Sequence, residues 1–116
     1  MFLKLWDMDS LETYESTICL YLNKAYNTIG WLKVSQGGIS GMIIDVRLVL
    51  ATALKCLARG IILCHNHPSG NVNPSVKDKL TTTKLKQACD LLGMTLLNHI
   101  IICTDGYYSF AYEGLF

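Results

Sequence analysis

Apolar and polar residues follow two different periods along this chain, and the changes of period divide it into elements. Residues 1–12 (MFLKLWDMDSLE) are weakly patterned, as expected of a leader that packs its apolar side chains on the domain. Glu15 to Asn23 (ESTICLYLN) is rich in β-formers between polar ends and predicts a strand. Lys24 to Asn27 supply a turn and Thr28–Ser35 (TIGWLKVS) a second strand, a hairpin that Gln36-Gly37-Gly38 then breaks.

From Asp45 to Arg59 the period becomes helical. Val46, Leu50, Ala53, Leu54 and Leu57 fall on one predicted apolar stripe, with Arg59 and Gly60 as the stop. Gly60 to Cys64 (GIILC) is wholly apolar, as in a strand buried on both faces, and HNHPSG follows as a loop forced by Pro68 and Gly70. A second helix is predicted from Pro74 or Ser75 to Gly93. Met94 to Cys103 then predict a strand, Thr104-Asp105-Gly106 a turn and Tyr107 to Tyr112 a last strand. Helices interleaved with a sheet of mixed direction place the chain in the α/β class. Nothing repeats and no linker intervenes, so residues 13–116 are expected to form one domain.

Composition narrows this picture. At 51% hydrophobic and 16% charged, the chain can fill a core, and a formal charge of +1 gives no global field for DNA or an anionic membrane. Cys19, Cys56, Cys64, Cys89 and Cys103 are scattered without a CxxC pair, which predicts reduced, buried thiols. No stretch reaches the ~18 apolar residues of a membrane span, and the first residues show no cationic region followed by an apolar run. A soluble, cytoplasmic protein is the expectation.

The densest chemistry lies in HNHPSGNVNPSVKD, between His65 and Asp78. On a strand, His65 and His67 share one side while Asn66 points away, so both imidazoles can reach one ion. Asp78, one turn into the next helix, can supply a third ligand. Two nitrogens and a carboxylate with a fourth position left for water is a catalytic zinc arrangement. Cys64 is turned to the opposite face. Glu15, opening the first strand, is the candidate general base, with Glu12 as its competitor, and the Ser75 hydroxyl is a candidate oxyanion donor. Plainer readings stand beside these. A His-x-His pair can be hydrogen-bonded core, and Ser75-x-x-Asp78 is equally a helix N-cap signal. His99, inside LLNHIII, reads as a satisfied core histidine or a residue behind the ligands. Tyr107, Tyr108, Phe110 and Tyr112 read as packing more readily than as a base-stacking platform.

Assembled, these residues resemble the JAB/MPN superfamily of metalloproteins. Its JAMM motif runs Glu, His-x-His-Pro, then Ser-x-x-Asp with the aspartate eleven positions after the second histidine. His65-Asn66-His67-Pro68 and Ser75-Val76-Lys77-Asp78 match that spacing. HNHPSG, NPS-x-x-D, LL-x-HIII and YYSF are most similar to the bacterial RadC-like group, over residues 13–114. The resemblance implies zinc at His65, His67 and Asp78, Glu15 as acid and base, and Ser75 beside the oxyanion. It also implies a mixed, curved sheet flanked by helices, of JAB/MPN (cytidine-deaminase-like) architecture. Relatives in the wider superfamily are metallopeptidases, often cleaving isopeptide bonds, which implies a peptide or protein substrate. RadC-like proteins carry a DNA-repair label, and longer ones have a helix-hairpin-helix segment for which these 116 residues leave no room. Asn98-His99 replaces the usual Asp-His, so a role for a carboxylate behind the ligands is lost at Asn98.

Three functions follow. The first is a zinc hydrolase of an amide or isopeptide bond. The second is a DNA-associated accessory or nuclease module, whose support is Lys77, Lys79, Lys84 and Lys86 along the second helix; a solvated helix face accounts for them as well. The third is a metal-binding scaffold without turnover. Oligomeric state is not legible.

Overall fold

The computed structural model describes residues 15–36 and 44–116. The expected leader (1–12), Glu12 and the break at Gly37 and Gly38 lie outside them. The order is β1 (Ser16–Leu22), β2 (Thr28–Gln36), α1 (Val46–Lys55), β3 (Gly60–Asn66), α2 (Val76–Leu91), β4 (Thr95–Cys103) and β5 (Gly106–Ser109). The strands form one five-stranded mixed sheet in the order β2-β1-β3-β4-β5, so the α/β class and mixed sheet are as expected.

β1 and β2 form the hairpin, closed by Asn23, whose side-chain oxygen accepts the N–H groups of Ala25 (2.9 Å) and Asn27 (3.0 Å). β1 also pairs antiparallel with β3, with Thr17 opposite His65. β3 and β4 are parallel and joined through α2, a βαβ crossover; β5 folds back antiparallel on β4. β1 and β3 are apolar on both faces because both faces are covered. Cys19, Tyr21, Ile61 and Leu63 pack with Val49 and Ala53 of α1 and Leu85 and Cys89 of α2. Ile18, Leu20, Cys64 and Ile102 form a second buried cluster. Each fully buried aliphatic side chain contributes roughly 1.5–3 kcal/mol. Cys19, Cys64, Cys89 and Cys103 are buried and no thiol is bonded to another; burial pushes Cys19 up to about 12, so it stays an inert thiol. Among the described residues no helix is long and apolar enough to cross a membrane.

Three expected boundaries move. α1 ends at Lys55, not Arg59, because Arg59 already donates its N–H to Leu22 (2.8 Å) to enter the sheet. The buried stripe of α1 is therefore Val49 and Ala53, while Leu54 and Leu57 are 51% and 81% exposed. β3 continues through His65 and Asn66, which pair with Ile101 and Ile102 and so belong to the sheet, not the loop. β5 stops at Ser109, and Phe110 turns inward to stack on His99.

α1 is capped by Asp45, whose carboxylate accepts the N–H groups of Arg47 (3.0 Å) and Leu48 (3.3 Å). Asp45→Ala is expected to lower the unfolding free energy in urea by about 1 kcal/mol.

Candidate metal centre

The site lies at the carboxyl end of β3, beside the N-terminus of α2, where open α/β sheets place their ligands. His67 follows the strand directly, and its N–H continues the parallel ladder to Ile102 (3.0 Å). Gly70 at φ 84 turns the chain back with a bond from its N–H to the His67 carbonyl (3.0 Å). Ser75 then caps α2. Its Oγ accepts the Asp78 N–H (3.0 Å), and its own N–H donates to Asp78 Oδ2 (2.8 Å). The helix-cap reading of Ser75-x-x-Asp78 is thus realised, and the same box fixes the Asp78 carboxylate facing the histidines.

His65 Nε2 and His67 Nε2 lie 3.0 Å apart. Asp78 Oδ1 is 3.2 Å from His65 Nε2 and Oδ2 is 3.2 Å from His67 Nε2. Ligands held at ~2.0–2.1 Å around a tetrahedral ion are separated by about 3.3 Å, so this triad matches a small cation. Its ligand atoms all fall within 4.8 Å of one another.

The groups behind the histidines decide which nitrogens are left free to hold a cation. The Asn71 carbonyl can only accept, so His67 donates its Nδ1–H to it (2.6 Å) and keeps Nε2 bare. Thr82 gives its one hydroxyl proton to the Asp78 carbonyl (2.8 Å), so it accepts from His99 Nδ1–H (2.5 Å). His99 Nε2 is then an acceptor for His65 Nδ1–H (2.7 Å), which leaves His65 Nε2 bare as well. Two lone pairs and a carboxylate converge on one point. His65 and His99 are completely buried.

Electrostatics follow the same logic. Burial holds His99 down to about 3, so it is neutral. The hydrogen bond with Asp78 pulls His67 above its ordinary value despite burial. Burial pushes the Asp78 carboxyl upward, but hydrogen bonds with His65 and His67 outweigh it and hold it well below the carboxylate range. A proton and a metal ion therefore compete for the same place.

His67 and Asp78 line a cavity of about 500 Å³ whose wall also includes Glu15, Ser75, Asn71 and Lys77, with His65 buried behind them. Glu15 reaches it through register: Thr17 faces His65, so the antiparallel continuation of β1 carries Glu15 towards His67. Asn66, turned the other way, accepts the Ser16 N–H (2.8 Å) and pins that end of β1. Asn98 bonds away from the triad: its Oδ1 accepts the N–H groups of His99 and Ala111 (both 2.9 Å) and its Nδ2 donates to Ser109 Oγ (2.8 Å). Of the lysines on α2, Lys86 pairs with Asp90 (3.7 Å). Thr82 and the Asn71 carbonyl escape a sequence reading; Thr82 is legible only as the residue four beyond Asp78 on the same helix face, and a carbonyl has no sequence signal.

Fold and site together define an α/β domain with a His₂Asp centre able to hold one metal ion. The chain belongs to the RadC-like JAB domain family, whose model matches residues 2–115. Among similar proteins, a UPF0758 protein of Flavobacterium johnsoniae is 48% identical over 89% of this chain and 45% of its own length. UPF0758 proteins of Streptococcus suis and Aquifex aeolicus are 42% and 40% identical, over 86% and 90% of this chain. The chain spans less than half the length of these curated relatives, 41% and 45% for the last two.

Thr82→Val is expected to free His99 to adopt either tautomer and to weaken metal binding about 10–100-fold in competition with a chelating dye, with Thr82→Ser close to wild type. A pH dependence follows too. The raised His67 stabilises the metal-free fold fully below 6.5 and is lost as pH rises through its raised value. The depressed His99 acts oppositely, costing stability as pH falls below 6.5 because the unfolded chain takes up the proton. Melting temperature of the metal-free protein should therefore peak near pH 6.5, and added metal should extend that plateau upward.

Proposed function

We propose that this domain is a zinc-dependent hydrolase of amide or isopeptide bonds in a peptide or protein substrate. The observation that carries the reading is the convergence of His65 Nε2, His67 Nε2 and the Asp78 carboxylate on one point at the wall of a cavity shared with Glu15 and Ser75. Three protein ligands leave a tetrahedral position open, and the two-imidazole, one-carboxylate set suits zinc. Zinc bound there would lower the pKa of a coordinated water to ~7 and polarise a carbonyl oxygen.

The chain's own groups supply the rest. Glu15 takes a proton from the attacking water and returns it to the leaving amine. Ser75 uses its oxygen as an acceptor in the helix cap, so its hydroxyl proton remains to be donated to the developing oxyanion. Asp78 stays ionised throughout, held so by its partners. Five free thiols suit a reducing compartment such as the cytoplasm.

Elemental analysis of protein purified without chelators should find about one zinc per chain, and none in Asp78→Ala. Against a panel of fluorogenic peptides and isopeptides, Glu15→Gln should keep the zinc and slow cleavage by about 10²–10⁴. Zinc without cleavage in the wild type would leave a scaffold; no zinc at all would end the reading.

A further inference from the structure

The far end of β3, away from the metal centre, carries an apolar groove bordered by the C-terminal ends of both helices. The two helices stop in the same way. After α2, Met94 donates to the Cys89 carbonyl (2.9 Å) and Gly93 to that of Asp90 (3.4 Å). After α1, Ala58 donates to Ala53 (2.9 Å) and Leu57 to Leu54 (3.3 Å). This pair of bonds places the residue after the cap in the left-handed region, a place glycine fills without strain. Gly93 is there at φ 73, but its counterpart after α1 is Leu57, at φ 56. Its Cβ crowds the following carbonyl, and its side chain, turned to solvent, recovers nothing by burial. Fold stability therefore does not explain the leucine.

Its surroundings do. Leu57 borders a groove of about 700 Å³, together with the exposed Leu54 and Leu92, over a floor of buried Ala53, Ala58 and Met94. Lys24 and Arg59 stand beside it, and neither has an ion pair among the described residues. An apolar groove with free cations complements a segment that is apolar on one side and acidic on the other. A second copy of this chain fits worse, because a two-fold contact would bring Lys24 and Arg59 against a groove bearing the same cations.

We propose that this groove docks a short amphipathic, acidic segment of another protein, with Leu57 as its apolar anchor. The docking is independent of the metal centre and of any turnover there.

The test uses a random peptide display library selected on the immobilised protein, followed by anisotropy titrations of the synthesised winners. Peptides with spaced large apolar residues flanked by Asp or Glu are expected. Leu57→Gly should bind them at least about tenfold more weakly, as a central anchor does when truncated. Arg59→Glu should also weaken them. Leu57→Gly should meanwhile melt at a higher temperature than the wild type, so lost binding could not be lost folding. Failure to select peptides, equal affinity for Leu57→Gly, a preference for basic sequences, or no rise in melting temperature would each overturn the proposal. A concentration-dependent dimer in light scattering that Leu57→Gly abolishes would overturn it in favour of a second copy.

Discussion

The hydrogen bond between His65 and His99 is the contact that makes the rest of the site possible. It is the first link of a buried relay of three hydrogen bonds. His65 on β3 donates to His99 on β4, His99 donates to Thr82 on α2, and Thr82 donates to the carbonyl of Asp78, whose carboxylate stands 3.2 Å from His65 Nε2 across the place that a proton or a cation can fill. Three elements are thereby tied at one point by buried hydrogen-bonding groups. In so dry a place an unpaired donor or acceptor is costly, so each link of the relay holds the others in place. Its product is directional: it leaves His65 Nε2 bare on the side where the Asn71 carbonyl, by taking the Nδ1 proton, leaves His67 Nε2 bare.

Topology explains why those residues meet. The parallel β3–α2–β4 crossover puts the end of one strand, the start of a helix and the middle of the next strand together. The antiparallel partner on the other side, β1, starts where β3 ends, so its first residues arrive at the same place. Asp78 serves two ends at once. As the third residue of α2 it closes the capping box with Ser75, and that same bond to the Ser75 N–H aims it at the histidines. The structural and chemical readings of Ser75-x-x-Asp78 are therefore one arrangement.

The two ends of the sheet differ in character. The carboxyl end of β3 gathers nitrogen, oxygen and charge around a cavity. The opposite end gathers leucines around a groove, with one helix ending in a glycine and the other in a strained leucine. In relatives more than twice as long as this match, the domain is one part of a larger chain.

Much was legible in the residues themselves. Element types followed from periodicity, because a strand buried on both faces must be apolar throughout and an amphipathic helix must repeat every three to four residues. The candidate triad was legible too, since His-x-His on a strand and an acid in the next helical turn bring their side chains together over short separations. What the sequence could not determine was anything that depends on long-range register or on backbone atoms. The end of α1 shifted because Arg59 was claimed by β1, thirty-seven residues earlier. The proton pattern of the site rests on Thr82, His99 and the Asn71 carbonyl, brought together by the sheet and the crossover. Tertiary structure alone decided these, because a hydrogen bond between distant groups is specified by where the fold puts them and not by the identity of their neighbours along the chain.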